Sequence, residues 1–189
     1  MKITKVLIII VLILLLGIPS SWAYKVGSLE FSENEKVADS LLPLRGAGLK
    51  KFLGIQIVAV ALYLPEGIPS KDVLLDCPKR LEVVYLQNIP KEELQRATSK
   101  GVRINFSKTE YKTLAPKIRE INDKYPDVKK GDKIIVNYLP GLGLQISVNQ
   151  KNKELIVGAD IAKAFFAIWV GDHPVDANMK ATLLGGKNE

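Results

Sequence analysis

The sequence predicts an α+β domain in which an antiparallel sheet is packed by helices. Two observations carry that expectation: strand signals follow one another through short turns, and the element order is strands, two helices, strands, two helices rather than a βαβ series. Composition agrees. Of 189 residues, 47% are hydrophobic and 25% charged, which is ample for one buried core and too apolar for a disordered chain.

The chain opens on a segment outside that domain. Lys2 and Lys5 precede an apolar run of 13 residues, Val6 to Ile18, and Ser21-Trp22-Ala23 then places small residues around a cleavage point. This is the layout of a secretory signal peptide over residues 1–23, with the mature domain over 24–189. An uncleaved anchor is the competing reading, but the run falls short of the ~20 apolar residues a bilayer span needs. No Cys follows the run to accept a lipid. Export predicts a periplasmic or secreted protein with no transmembrane span once the signal is removed.

Within the domain, Phe52 to Leu64 (FLGIQIVAVALYL) is apolar at nearly every position and stops at Pro65, as expected of a central strand covered on both faces. Leu81 to Leu86 follows as a shorter strand with Leu81, Val83 and Tyr85 on one face. Pro90 suits the first turn of a helix that runs through Leu94 to the neighbourhood of Phe106. Ser107-Lys108-Thr109-Glu110 is a capping box opening a second helix towards Lys124, with Pro116 a place for a bend. Lys133 to Leu139 and Leu142 to Asn149 flank Pro140-Gly141, a pair suited to a type II turn. A reversal at Gln150-Lys151-Asn152 leads into a third strand, Glu154 to Val157. Asp160 is expected to cap IAKAFFAIWV, where Ile161, Phe165, Ile168 and Trp169 recur at helical spacing and Gly171 ends the helix. Asp176 caps a last helix, ANMKATLL, ended by Gly185.

The charge balance excludes several function classes. Lys+Arg number 27 against 20 Asp+Glu, a surplus of +7 that falls to +5 when Lys2 and Lys5 leave with the signal peptide. Only five of the basic residues are Arg, and the lysines are interleaved with acids, as in KEELQR and KIREINDK. Nucleic-acid binders concentrate both on one face, so no nucleic-acid partner is expected. One Cys and one His exclude an internal disulfide and a structural zinc site, and no metal or cofactor is implied.

The remaining polar motifs carry little chemistry. His173 sits in a GDHP turn, where a triad would need a nucleophile and an orienting acid that the sequence does not supply. Cys77 precedes Pro78 in a loop near Lys79 and Arg80 and is read as an incidental free thiol. LPGLG and LRGAG lack the Lys-Ser/Thr ending of a phosphate loop. Asn105-Phe106-Ser107 has the form of a glycosylation acceptor but falls at a helix junction. What stands out is the long strand that begins just after Gly46-Ala47-Gly48 and two lysines. A pocket lined by it would be apolar, with Lys50 or Lys51 able to meet an acid group at its mouth. A plain sheet centre with surface lysines is the competing reading.

Leu44-Arg45-Gly46-Ala47-Gly48-Leu49, continuing through apolar positions to Leu62-Tyr63-Leu64-Pro65, resembles the opening of the chalcone isomerase-like family. So do Pro126-Asp127-Val128-Lys129-Lys130-Gly131-Asp132, Tyr138-Leu139-Pro140-Gly141, Gly158-Ala159-Asp160 and the run from Trp169-Val170-Gly171-Asp172-His173-Pro174 to Leu183-Leu184-Gly185. The ordered set covers essentially the whole mature chain and is most similar to the bacterial, exported branch.

The resemblance implies an open-faced β-sandwich, a large antiparallel sheet covered by helices with a cleft between them. Plant enzymes of the family close a chalcone into a flavanone, and other members bind fatty acids. Both use an arginine just after the Gly-Ala-Gly turn, and Lys50 stands there here, keeping the charge without the planar two-pronged donor. A family Thr or Tyr falls on Val58, the Tyr and Asn of the closing helix fall on Thr98 and Asn105, and a final Thr or Ser falls on Ile168. Enolate stabilisation needs several such donors together, and only Asn105 is retained. The resemblance therefore implies a non-catalytic member that binds a hydrophobic carboxylate, fatty acid or lipid, with Lys50, Val58, Thr98, Asn105 and Ile168 as candidate ligand-binding residues. An isomerase (intramolecular lyase) on an unknown substrate is one alternative. The other is an interaction module whose cleft is vestigial and whose partner is an envelope protein.

Overall fold

The computed structural model describes residues 23–186, so the expected signal peptide lies, but for Ala23, outside the described residues. Strands β1 (Ala23–Val26) and β2 (Leu29–Ser32) form a separate hairpin. Strands β3 (Asn34–Val37), β4 (Ser40–Phe52), β5 (Ile55–Tyr63), β6 (Lys79–Tyr85), β7 (Lys133–Leu139), β8 (Gly143–Val148) and β9 (Lys151–Ile156) pair in sequence order. Every neighbouring pair is antiparallel. Helices α1 (Lys91–Asn105) and α2 (Lys108–Asp123) lie between β6 and β7 in sequence, and α3 (Ala159–Val170) and α4 (Ala177–Leu183) close the chain. The expected α+β order of a large antiparallel sheet with helices is the order found.

The strand expected over Phe52 to Leu64 is instead a hairpin. β4 ends at Phe52, Leu53 and Gly54 turn at φ 49° and 80°, and β5 returns with Phe52 opposite Ile55. Positive φ at both central residues is the geometry of a two-residue turn matched to strand twist. Gly54 was the sole turn signal, and the apolar residues on either side concealed it. Gly46-Ala47-Gly48 is accordingly not a turn but extended strand inside β4. Its glycines let α4 lie directly on the sheet: a Cβ at Gly46 would overlap the Thr182 carbonyl oxygen and stand 2.9 Å from that of Leu183.

From Val58 onward β5 is buried on both faces, as its composition predicts. Val58, Val60 and Leu62 join the core under the helices, together with Leu81, Val83 and Tyr85 of β6. Ala59, Ala61 and Tyr63 join a second core with Phe31 and Val26 of the β1–β2 hairpin. On that outer face β6 also carries an ion network. Glu82, 1% exposed, accepts from Arg80 Nε at 2.9 Å and from Lys133 Nζ at 2.6 Å, while Arg80 reaches Glu35 at 3.3 Å. Beside it the Tyr63 hydroxyl is buried with no hydrogen-bond partner among the described residues, and burial, then Glu82 and Glu35, hold it above the usual tyrosine range.

The helix signals were accurate with one exception. Ser107 and Glu110 form the reciprocal capping box of α2, which runs through Pro116 unbroken to Asp123. Asp176 caps α4 by accepting from the Met179 N–H at 2.9 Å. Asp160 is not the cap of α3: Gly158 is, at φ 126°, and Asp160 sits in the first turn holding Lys117 of α2 at 2.7 and 2.9 Å. A Cβ on Gly158 would overlap that carboxylate, so the chain enters α3 through a conformation that favours glycine. Gly141 takes φ 78° in the β7–β8 turn, as a type II turn requires. The next reversal falls at Asn149-Gln150, both at positive φ, so β9 begins at Lys151, earlier than expected. Among the described residues no helix is long and apolar enough to cross a membrane.

Candidate functional site

A cavity of about 260 Å³ lies between β5–β7 and helices α1 and α3. The sheet contributes Val58, Val83, Tyr85 and Ile134, α1 contributes Leu94 and Thr98, α3 contributes Phe165 and Ile168, and Tyr125 enters from the loop after α2. Its mouth is framed by residues that reach solvent: Ile57, Ile89, Glu93, Ala97, Trp169 and Val175.

Two local irregularities shape this space. In the β4–β5 pairing Lys50 lies opposite Val58 but Lys51 opposite Gln56, so Ile57 is the extra residue of a β-bulge. A bulge breaks the alternation of side chains, and Ile57 and Val58 both line the cavity. The second irregularity is Gly101 in α1, where a Cβ would come within 2.8 Å of Ile168 Cγ2. Its absence lets α1 and α3 cross closely and sets Thr98, one turn earlier, in the same wall as Ile168.

The polar groups inside are neutral. Thr98 Oγ1 and the Tyr125 hydroxyl are 2.9 Å apart, and the Tyr85 hydroxyl has no protein hydrogen-bond partner among the described residues. Burial, and then the neighbouring Tyr125, hold Tyr85 protonated well above the usual tyrosine range. Burial pushes Tyr125 up to about 12, against the opposing effect of its bond to Thr98. Among the described lining residues the only carboxylate is Glu93, at the rim, where both its oxygens accept from Arg96 at 2.9 and 3.0 Å.

Of the residues singled out in the sequence, Val58, Thr98 and Ile168 come together in the cavity wall. Lys50 is not in the lining: it borders a separate, more polar groove with Lys51, Gln56, Asp176 and Asn178, and it meets the rim of the cavity through Val175. Its ammonium donates to the Val175 carbonyl at 3.2 Å and lies 3.6 Å from Asp176 Oδ2, so it ties β4 to the start of α4 beside the opening. Asn105 is not in the lining. Its side chain donates to the carbonyls of Gly101 and His173, both at 2.8 Å, and accepts from the His173 N–H at 2.9 Å. It thereby clamps the turn between α3 and α4, and His173 serves through its backbone.

Of the two tyrosine hydroxyls that sequence reasoning missed, one carried a local signal and the other none. Tyr85 shares a face with Leu81 and Val83, where a hydroxyl at the end of an apolar series can mark a pocket. Tyr125 follows a helix end, and nothing local distinguishes it from a surface tyrosine. Among the described residues no group of three or more His, Cys, Asp or Glu could hold a metal ion.

A family model described as chalcone isomerase-like matches residues 23–185. Among solved structures, a fatty-acid binding protein of Arabidopsis thaliana is similar with a TM-score of 0.65 at 15% identity, over 82% of this chain and 91% of that one. At that identity the likeness shows the shared fold. No curated protein matches the chain.

Proposed function

From the premise that the chain belongs to the chalcone isomerase-like family, we propose that it binds the apolar part of a fatty acid or other lipid in this cavity and performs no reaction on it. One observation carries the reading: the wall is apolar, and the hydroxyls within it are held protonated. Proton abstraction would need a base, and Glu93, the carboxylate of the described lining, is engaged by Arg96 at the rim. The volume of about 260 Å³ lies just below the ~300 Å³ at which ligand pockets begin, which suits one slim chain.

The burial that keeps the tyrosines protonated would also penalise a carboxylate at that depth. The acyl tail therefore enters and the head stays at the mouth, where Lys50 can exchange Asp176 for the ligand carboxylate. Tyr85 and the Thr98–Tyr125 pair can serve a neutral oxygen deeper in. Fatty-acid binding by the Arabidopsis protein of the same fold supports the ligand class. If the first 23 residues direct export, the ligand is carried in the periplasm or outside the cell.

Native mass spectrometry of protein purified from its own host tests this, with titration by a fluorescent acyl probe. The expected result is a bound lipid mass, saturable probe binding, and loss of both in Val58→Phe and Ile168→Trp, which fill the cavity. Wild-type protein with neither a bound lipid nor a saturable probe signal would refute the proposal. Turnover of a chalcone well above background would refute its non-catalytic part.

A further inference from the structure

We propose that the β4–β5 hairpin tip is a membrane-docking element that seats this protein on an anionic phospholipid bilayer with the cavity mouth facing the lipid. The tip is apolar and uncovered: Phe52 is 64% exposed, Leu53 86% and Ile55 55%. Leu53 is the most exposed large hydrophobic side chain among the described residues, and its backbone is left-handed at φ 49°. That region is disfavoured for leucine, and Asn or Asp would make the same turn without presenting apolar surface to water. Neither the turn nor either core accounts for a leucine here.

Position and charge identify the occupant. Across the sheet, Lys50 pairs with Val58, Val58 with Tyr85, and Tyr85 exchanges backbone bonds with Gly131 and Asp132. Leu53 lies three residues beyond that row, so the tip projects roughly 10 Å past the sheet end at ~3.3 Å per residue. The same end carries the exposed Lys51, Lys129, Lys130 and Lys151. Asp127, which accepts from the Lys91 N–H, and Asp132, which accepts from the Lys129 N–H and Asn149, keep their negative charge at that end, and these four lysines outnumber them two to one. An apolar prong among lysines is complementary to acyl chains beneath anionic head groups. A bilayer also fits the cavity. Ile57, two residues from Ile55 at the tip, stands at the cavity mouth, and Val58 continues into the lining, so the tip lies beside the opening.

Docking does not require an occupied cavity, so the two proposals can fail separately. The test uses the full chain as its host processes it, with a nitroxide on Leu53→Cys in a Cys77→Ser background. Vesicles of phosphatidylglycerol and phosphatidylethanolamine are compared with phosphatidylcholine alone. The label is expected to sink below the phosphates of the anionic vesicles, to be released by salt, and to stay in water with phosphatidylcholine. A label on Leu142→Cys, at the far end of the sheet, is expected to remain in water throughout. Phe52→Ser, Leu53→Asn and Ile55→Thr combined should weaken vesicle partitioning at least tenfold with an unchanged melting temperature, and Lys51→Ala about fivefold. A solvent-exposed label at position 53 on anionic vesicles, or immersion of both labels alike, overturns the proposal. The first outcome would leave the tip to a protein partner.

Discussion

Replacing Gly46 by alanine adds one methyl group to β4 where α4 rests on it. That methyl would overlap the Thr182 carbonyl oxygen and stand 2.9 and 3.0 Å from the carbonyl oxygen and carbon of Leu183. All three are backbone atoms of α4, so no side chain can rotate away, and the helix itself must lift. Overpacking of this kind costs about 1–3 kcal/mol, and an obstacle made of backbone puts Gly46→Ala at or above the upper end. Restricting the unfolded chain returns about 0.4–1 kcal/mol, which leaves a net loss of roughly 2 kcal/mol or more. At about 2–4 °C per kcal/mol for a domain of this size, melting should fall by about 4–8 °C. Differential scanning calorimetry reads the shift, and urea unfolding should show a lower midpoint at constant slope. Gly48 supplies the internal control. Its added methyl would meet Met179 Sδ and Thr182 Cγ2 at 3.0 Å, side-chain atoms that can give way, so Gly48→Ala should cost clearly less. A Gly46→Ala protein that melts within 1 °C of wild type, or no lower than Gly48→Ala, would refute the packing account of the Gly-Ala-Gly segment.

Lys50→Ala is expected to weaken fatty-acid binding about fivefold and to leave the corresponding fatty alcohol unaffected. A charge-assisted bond contributes ~1.5–3 kcal/mol, but this ammonium is a quarter exposed and already shared with Asp176, so about 1 kcal/mol should remain. Competition titrations check it, and an equal loss for both ligands would count against a head group at the mouth. Gly101→Ala should reduce acyl binding more than stability, because Ile168, only 2.8 Å from the new methyl, can yield only towards the cavity or by parting α1 from α3. A helix-propensity gain of about 1 kcal/mol offsets part of the strain, so its melting temperature should change by only a few degrees. Lys79 gives a pH signature. It is 2% exposed, and burial holds its ammonium below the ordinary lysine value, so the unfolded chain binds that proton more tightly than the folded one. Stability contributed by this group therefore rises as pH approaches ~10.4 from below; Lys79→Met should abolish that alkaline rise in thermal melts, and a persistent rise would assign it elsewhere.

What the sequence made legible followed from local chemistry. The capping box at Ser107, the Asp176 cap and the Pro140-Gly141 turn are each specified within four residues, and each formed as expected. β5 was legible as doubly buried because both of its faces are apolar. β4 was not, because its inward positions are glycine and alanine, whose small size suits helix contact and carries no strand signal. The β4–β5 turn was hidden for the opposite reason: Leu53 and Ile55 extend the apolar run through the reversal. In the site, family resemblance singled out Val58, Thr98 and Ile168, which line one cavity, whereas Tyr125 reaches that cavity only through the packing of α2. Asn105, singled out with them as a candidate ligand contact, lies outside the lining. Its partners, Gly101 four residues back and His173 far along the chain, make it a clamp between helix ends.

The bulge at Ile57 links the features that bear on function. One extra residue in β5 turns Ile57 and Val58 to the same side, and this opens the cavity wall towards the end of the sheet. It also sets the register in which Lys50, opposite Val58, reaches the Val175 carbonyl beside the mouth. Beyond the bulge the hairpin has no helix over it, which is why Phe52, Leu53 and Ile55 are bare while Val58, Val60 and Leu62 are buried. Residue types alone do not separate these two sets, since both are aliphatic or aromatic and adjacent in sequence. Their different fates follow from where α1, α3 and α4 stop covering the sheet. A cation at the rim, an uncharged interior and an apolar prong on the same side thus arise from one irregular strand pairing. That arrangement is coherent for a protein taking an amphiphile tail-first from a surface. The protonated hydroxyls of Tyr85 and Tyr125 leave that interior uncharged, as a buried acyl chain requires.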